Sequence, residues 1–309
     1  MGLLTLAAGL TLLLLPFSLA DAAPDQWRTG YIIAMLVVGL LLLVCFVAVE
    51  CYIAPKPMMP WRLLTSRTLL GACLLEAVYQ IAYYCWFSYF TSFLQVVNNL
   101  TLAQAGYISS TFDVVSGVFL FLIGFLIRKT GHFKWLLWCA VPLYTFGQGL
   151  LIYFRQPGTN IGLIVMCQIF LALGGGTMII SMQVAVQSTA EHGEVAIALA
   201  VWSLFGYVGG AIGNAICGAI WTNTFPQALD RYLPQLTGAE RSKIYGSLAK
   251  QLSYPMNSPI RDAIIQAYAH AQTRMLTAGT AVMVLAFVAV AIMENVNVAK
   301  IQQVKGVVF

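Results

Sequence analysis

The chain has 309 residues, of which 60% are hydrophobic and only 9% are charged. An ordinary soluble domain carries about 25% charged residues, so this composition excludes a water-soluble fold. The net charge of +5 is spread over the connections between apolar stretches, without a basic run that would suggest a nucleic-acid partner. We therefore predict an all-α, polytopic protein whose main partner is the lipid bilayer.

Eight apolar segments are long enough to cross a bilayer, since a helical span needs about 20 residues. In chain order they are 3–20, 31–49, 69–97, 104–127, 133–154, 161–189, 195–220 and 274–293. The first segment could instead be a cleaved secretory signal, although it lacks the positively charged start that signals carry. We expect about eight transmembrane helices.

Lysines and arginines predict the orientation. The short outside connections hold only Arg28 and Arg155 if the N-terminus is cytoplasmic. The inside connections and tail then hold Lys56, Arg62, Arg67, Arg128, Lys129, Lys134, Lys300 and Lys305. By the positive-inside rule both termini are cytoplasmic, and the long loop 221–273 is extracytoplasmic.

Three local patterns predict where helices begin. Thr101 with Gln104, and Thr237 with Glu240, have the spacing of a capping box. Ser258 followed by a proline fits an N-cap residue and the first helical position. The second box predicts a short helix within the long loop, continuing through residue 252.

The seventh segment predicts close helix packing. Gly209 and Gly213 stand four residues apart, and Ala211, Ala215 and Ala219 repeat that spacing. In lipid, small residues in columns let neighbouring helix backbones approach. The apolar run stops at Trp221, a residue type suited to the membrane surface.

Two acidic residues lie within predicted spans, Glu76 in the third and Asp113 in the fourth. An acidic side chain at the centre of a span costs roughly 2.5–3.5 kcal/mol, so such residues mark cavities, proton relays or paired sites. Two alternatives remain open. Glu76 could reach toward the cytoplasmic headgroups, and Asp113 could serve as a hydrogen-bonding contact between helices.

Polar and aromatic residues of the third and sixth segments form two candidate cavity walls. Helical spacing places Gln80, Tyr83 and Phe87 on the face of Glu76, where they could line a pocket or belong to an aromatic belt. In the sixth segment, a polar stripe flanks a glycine triplet that serves either close packing or gating. The stripe and the triplet comprise Gln168, Gln183 and Gln187 with Gly174, Gly175 and Gly176.

Nothing in the sequence indicates an enzyme. The seven cysteines lie mostly within apolar runs, and the three histidines are far apart. Neither a metal-ligand spacing nor a nucleophile–base set is visible, and no cofactor is expected.

The connection GFLIRKTGHFKW (124–135) resembles a cytoplasmic signature of the major facilitator superfamily, G-x-x-x-D-R-x-G-R-R. Gly124, Lys129 and Gly131 carry the likeness. Arg128 stands where the signature has an acidic residue, and its later arginines are replaced by His132 and Phe133, followed by Lys134. The stretches QSTAEHGEVA, VGGAIGNAICGAIWTNTFPQALDRYLP and SYPMNSPIRDAIIQAY are more particular. In this order they resemble the fungal siderophore–iron transporter family, a fourteen-span branch of the superfamily.

This resemblance implies proton-coupled transport of a ferric siderophore, with the iron held by the siderophore, in a plasma, endosomal or vacuolar membrane. Residues 1–68 would be two bridging helices and a cytoplasmic linker. Residues 69–309 would be the C-terminal six-helix bundle with loop 221–273. Members of the family have a further N-terminal half, which is expected as a missing partner.

The resemblance also implies roles for single residues. Glu76 or Asp113 would take up the proton. The ligand would contact Gln80, Tyr83, Phe87, Gln168, Gln183 and Gln187. Two other functions stay open: half of a fourteen-span drug–proton antiporter, and a non-transporting membrane protein that binds a ligand or partner through residues 221–273.

Overall fold

The computed structural model describes residues 2–19, 23–52, 61–191 and 193–300. These residues form helices and one isolated antiparallel bridge, between His132 and Asn297, without a named strand in the described ranges. The α-helices are α1 (Gly2–Leu19), α2 (Gly30–Tyr52), α3 (Trp61–Leu64), α4 (Arg67–Phe87), α5 (Phe90–Val97), α6 (Leu102–Ser109), α7 (Thr111–Thr130), α8 (Lys134–Phe154), α9 (Ile161–Thr189), α10 (Val195–Tyr232), α11 (Gly238–Gly246), α12 (Leu248–Leu252), α13 (Pro259–Val282) and α14 (Val284–Ile292). The predicted all-α class is confirmed.

Within the described ranges, seven helical segments are long and apolar enough to cross a membrane, one fewer than expected. Helices α4–α5, α6–α7 and α13–α14 each make one segment, and α2, α8, α9 and α10 make the others. The first apolar segment forms the 18-residue helix α1, in which Leu4–Pro16 is a shorter apolar stretch among the residues described.

Helix α10 extends beyond the point where the sequence predicts its end. Trp221 is buried, and its ring stacks 4.2 Å from that of Tyr89 and 4.3 Å from that of Phe225. Buried Phe225 and Leu229, one turn apart, continue the apolar face to Tyr232. The expected loop 221–273 is therefore too long: the connection between the long helices spans only 233–258.

The predicted helix starts are present. Both capping boxes, Thr101 with Gln104 and Thr237 with Glu240, have their reciprocal hydrogen bonds. The Ser258 hydroxyl accepts a hydrogen bond from the Arg261 N–H at the start of α13. The helix expected to continue through residue 252 is divided into α11 and α12, because Ser247 is extended and caps α12.

Helix α4 lies at the centre of the bundle, with α9, α10, α13 and α14 packed around it. Glycines of α10 allow the closest approach: a Cβ at Gly213 would lie 3.0 Å from the Ile81 Cα, and Gly209 sits directly against Ala77. The alanine column behaves differently, since Ala211 and Ala215 are half-buried and Ala219 is exposed. Helices α1 and α2 pack against each other, and α1 also contacts α10.

Candidate functional site

Helices α1, α4 and α10 line an open cavity of about 550 Å³. Its polar and aromatic lining includes Glu76, Gln80, Tyr84, Trp202, Ser203 and Asn214. Helix α1 closes one side with Thr11, Leu14 and Leu15. A volume of this size lies in the range of small-molecule sites, about 300–1,000 Å³.

Glu76 is the acidic residue of this cavity, with only 5% of its surface exposed. Its Oε1 accepts a hydrogen bond of 2.8 Å from Gln80 Nε2, the i, i+4 contact that a helix provides. Its Oε2 has no hydrogen-bond partner among the described residues. A Cβ at Gly206 would lie 2.9 Å from Oε1, so the glycine makes room for the carboxyl group. Glu76 is thus held inside the bundle, away from its surface.

The aromatic part of the predicted α4 face turns toward α7. The Tyr83 ring stacks on Phe87 at 5.0 Å and lies 5.5 Å from the Phe112 ring of α7. Both α4 residues are half-buried, and neither belongs to the lining of the Glu76 cavity. The single predicted face therefore divides in two: one part lines the cavity with α1 and α10, and the other contacts α7.

Asp113 lies apart from Glu76, in the first turn of α7, and its side chain is exposed. A negative charge is favoured there because the N-terminal end of a helix carries partial positive charge. The Ser116 hydroxyl donates to the Asp113 backbone oxygen at 3.1 Å.

The polar stripe of α9 is separate from the Glu76 cavity. Gln168 is fully buried, and neither its amide nitrogen nor its amide oxygen has a hydrogen-bond partner in the described part of the chain. Gln183 and Gln187 are half-buried farther along the helix. None of the three lines the Glu76 cavity.

The glycine triplet of α9 is in contact with three neighbouring helices. A Cβ at Gly174 would lie 2.8 Å from the Tyr144 nitrogen of α8. One at Gly175 would lie 3.1 Å from the Tyr79 Oη of α4, and one at Gly176 3.2 Å from the Ser116 Cβ of α7. These contacts favour close packing over a bending point.

The signature loop between α7 and α8 contacts the end of α14 and the residues that follow it. Gly131 ends α7 in the left-handed conformation, with φ of 70°, and its carbonyl accepts from the Val298 N–H at 2.8 Å. Lys134 Nζ donates to the backbone oxygens of Ala291, at 3.3 Å, and Met293. The other signature positions make no such contact: Arg128 and Lys129 are exposed, and Gly124 faces open space.

Sequence reasoning missed Arg155, which was expected in a short outside loop. The side chain is fully buried; its Nη1 donates to the Trp86 carbonyl at 2.6 Å, and its guanidinium carbon lies 4.4 Å from the Phe90 ring centroid. Trp202 was missed as well, because an apolar residue type in an apolar segment gives no signal of a polar role.

Comparison with known proteins places these features in a family. No family model matches the chain. It is 56% identical over 308 residues to the siderophore iron transporter mirB of Emericella nidulans, and 53% identical over 309 residues to the MFS siderochrome iron transporter D of Aspergillus fumigatus. The chain belongs to the fungal siderophore iron transporter family. The whole chain aligns with each of these two relatives. It covers 51% of the first relative's length and 52% of the second's, so it spans about half of each.

The fold of this siderophore iron transporter family member has a solved counterpart. A bacterial homologue of the human lysosomal transporter Spinster, in an inward-facing and unoccupied conformation, superposes with a TM-score of 0.53. The match covers 94% of the family member and 69% of the bacterial chain, at 13% identity. At that identity the likeness concerns the fold alone.

Proposed function

We propose that this chain is the C-terminal half of a proton-coupled carrier that takes up ferric siderophores. The observation that carries the proposal is Glu76, a buried carboxyl group beside a polar cavity, with one oxygen that has no hydrogen-bond partner among the described residues. Support for the cargo comes from the relatives, which are named siderophore and siderochrome iron transporters.

The proposed coupling follows from the cost of charge within a membrane. An ionised acidic residue at the centre of a span costs roughly 2.5–3.5 kcal/mol, and the neutral form avoids much of this cost. Glu76 would bind a proton when the site is sheltered and release it when the cavity opens to water. Asp113, which is exposed on α7, is the second candidate.

We propose that the siderophore is contacted by side chains on the α4 face and on the α9 stripe. These are Gln80, Tyr83, Phe87, Gln168, Gln183 and Gln187. The aromatic rings offer contact area, and the amides can donate to and accept from a polar ligand. Of these six, only Gln80 lines the Glu76 cavity, so a bulky cargo that contacts the others would extend beyond that cavity.

The remaining half of the site would come from a partner. Sites in this superfamily lie where two repeats meet, and we propose an N-terminal six-helix half as the partner of residues 69–309, with residues 1–68 as the bridging segment. In this arrangement both termini are cytoplasmic, and the connection 233–258 lies outside the cytoplasm.

The test is uptake into proteoliposomes with an imposed inward proton gradient. The chain is reconstituted alone or together with the N-terminal half of the Emericella relative, and uptake of the radioiron-loaded siderophore carried by that relative is measured. We expect uptake only when both halves and the gradient are present. Glu76→Gln should abolish the gradient dependence, whereas the surface control Glu294→Gln should behave like the wild type.

Each outcome has a distinct meaning. Gradient-driven uptake that Glu76→Gln leaves unchanged would refute the role of Glu76, and Asp113→Asn then tests the second candidate. Proton-driven export of the cargo would show that the assembled protein is an antiporter and would refute the uptake function. Stable binding of the N-terminal half without any flux would indicate a non-transporting partner protein.

A further inference from the structure

The cavity between α1, α4 and α10 contains a second buried polar group that the proposed transport function does not use. Trp202 of α10 is 8% exposed, and its Nε1 has no hydrogen-bond partner among the described residues. Glu76 Oε2, on the α4 wall of the cavity, likewise has no hydrogen-bond partner among the described residues. Both residues line one cavity, and each carries a buried unpaired atom with less than 1 Å² of accessible surface, a donor on Trp202 and an acceptor on Glu76.

The backbone places the two groups close together. Gly206 is the α10 residue that contacts the Glu76 carboxyl group, and Trp202 precedes it by four residues. On a helix this separation is about one turn, ~5.4–6 Å along the axis. A small ligand that turns the two side chains toward the cavity can therefore contact both atoms at once. Leaving a buried donor or acceptor unpaired costs roughly 1–3 kcal/mol, so both groups favour an occupant.

The lining also indicates the charge of that occupant. Of the described residues that line the cavity, Glu76 is the only one with a formal charge, and none is Lys, Arg or His. The indole of Trp202 and the phenol rings of Tyr84 and Tyr207 also line it, and such rings attract organic cations. An inorganic cation would neutralise Glu76 but could not accept the Trp202 N–H.

We propose that this cavity binds a small primary ammonium compound that carries an oxygen acceptor a few bonds from its nitrogen. The ammonium group donates to Glu76 Oε2, and the oxygen accepts from Trp202 Nε1. Gln80 Nε2 donates to the other carboxyl oxygen, Oε1, and so holds the carboxyl group in place. This chemistry occurs in free amino alcohols and also in the ethanolamine headgroup of a phospholipid. The proposal is independent of the siderophore cargo.

Ligand-detected NMR titration of the purified chain in phosphatidylcholine nanodiscs tests the proposal. The probes are ethanolammonium, which has both groups, and ethylammonium, which has only the charge. We expect ethanolammonium to bind more tightly. Glu76→Gln should lower the affinity for both probes by about tenfold or more, since hydrogen bonds to charged groups contribute roughly 1.5–3 kcal/mol.

The variant Trp202→Phe separates this site from a simple charge effect. It removes the donor and keeps an aromatic wall, so ethanolammonium should lose its advantage of about three- to tenfold while ethylammonium binding stays the same. Matched controls are Trp138→Phe on the exposed surface of α8 and Glu294→Gln near the chain's end, both of which should bind like the wild type.

Nanodiscs that contain phosphatidylethanolamine distinguish the two sources of the ligand. If the headgroup occupies the site, the added probe is displaced in these discs, and the displacement is absent in Glu76→Gln. If a free amino alcohol is the occupant, the lipid has no effect. Equal binding of the two probes, or binding that survives in both variants, would overturn the proposal. Its failure would leave proton-driven uptake untouched, since that assay contains neither amine.

Discussion

Arg261 provides the sharpest test of how the extramembrane connection is attached to the bundle. The side chain is 1% exposed and donates to three backbone oxygens: Nε to Val96 at 3.1 Å, Nη1 to Gln251 at 2.5 Å and Nη2 to Gln95 at 3.3 Å. Two of these oxygens belong to the last turn of α5, where helical carbonyls lack partners within the helix. The third lies in α12, in the connection itself.

Arg261→Ala removes all three donors at once. Each acceptor left without a partner in a buried position costs about 1–1.5 kcal/mol, so we expect a loss of about 3–4.5 kcal/mol in the free energy of unfolding. Arg261→Lys keeps the charge but can reach fewer of the carbonyls, so its loss should be intermediate. Unfolding in detergent micelles with increasing denaturant, followed by tryptophan fluorescence, measures the difference.

Hydrogen exchange then locates the effect. In Arg261→Ala, amides of segments 90–98 and 247–258 should exchange faster, while those of α9 should be unchanged. The matched control is Arg231→Ala, an exposed arginine at the end of α10, for which we expect a change within about 0.5 kcal/mol. Equal unfolding midpoints for the two alanine variants would refute the assignment of Arg261 as a clamp.

Three further predictions concern other contacts. Gly209→Val should destabilise the protein by about 1–3 kcal/mol, because its side chain would collide with the α4 backbone; an unchanged melting temperature would contradict this. Lys134→Met should speed proteolysis or hydrogen exchange near residues 291–300, because it removes the donor to Met293; equal exchange would exclude this role. Hydrogen bonds from Thr237 lower the pKa of Glu240, so capping of α11 is fully present above the ordinary pKa and should be lost as pH falls through the lowered value. Hydrogen exchange of α11 in Glu240→Gln should not show this pH dependence.

Patterns that depend on neighbouring residues were predictable from the sequence. The long apolar segments, the capping boxes at Thr101 and Thr237 and the start of α13 follow from hydrophobicity and from side chains within one helical turn. The hydrogen bond from Gln80 to Glu76 likewise follows from i, i+4 spacing. These features need no knowledge of what lies across the bundle.

Features that depend on distant contacts were not predictable. Arg155 and Arg261 look like surface residues in the sequence, but both side chains are buried, and each donates to a carbonyl more than 60 positions away. The end of α10 was placed too early because Trp221 is a typical interfacial residue, and only its contact with Tyr89 shows that it is packed inside. Composition alone carries no information about such pairs.

The packing around α4 limits how the Glu76 cavity can change. On one side Gly175 brings α9 against Tyr79, and on the other Gly209 and Gly213 bring α10 against the α4 backbone. Movement of α4 within the bundle would separate these contacts or force them to overlap, and close-packed interiors resist both. Among the described residues of α1, three line the cavity: Thr11, Leu14 and Leu15. Access to Glu76 is therefore more readily altered by displacement of α1 than by rearrangement of α4 and α10, which would move as one unit.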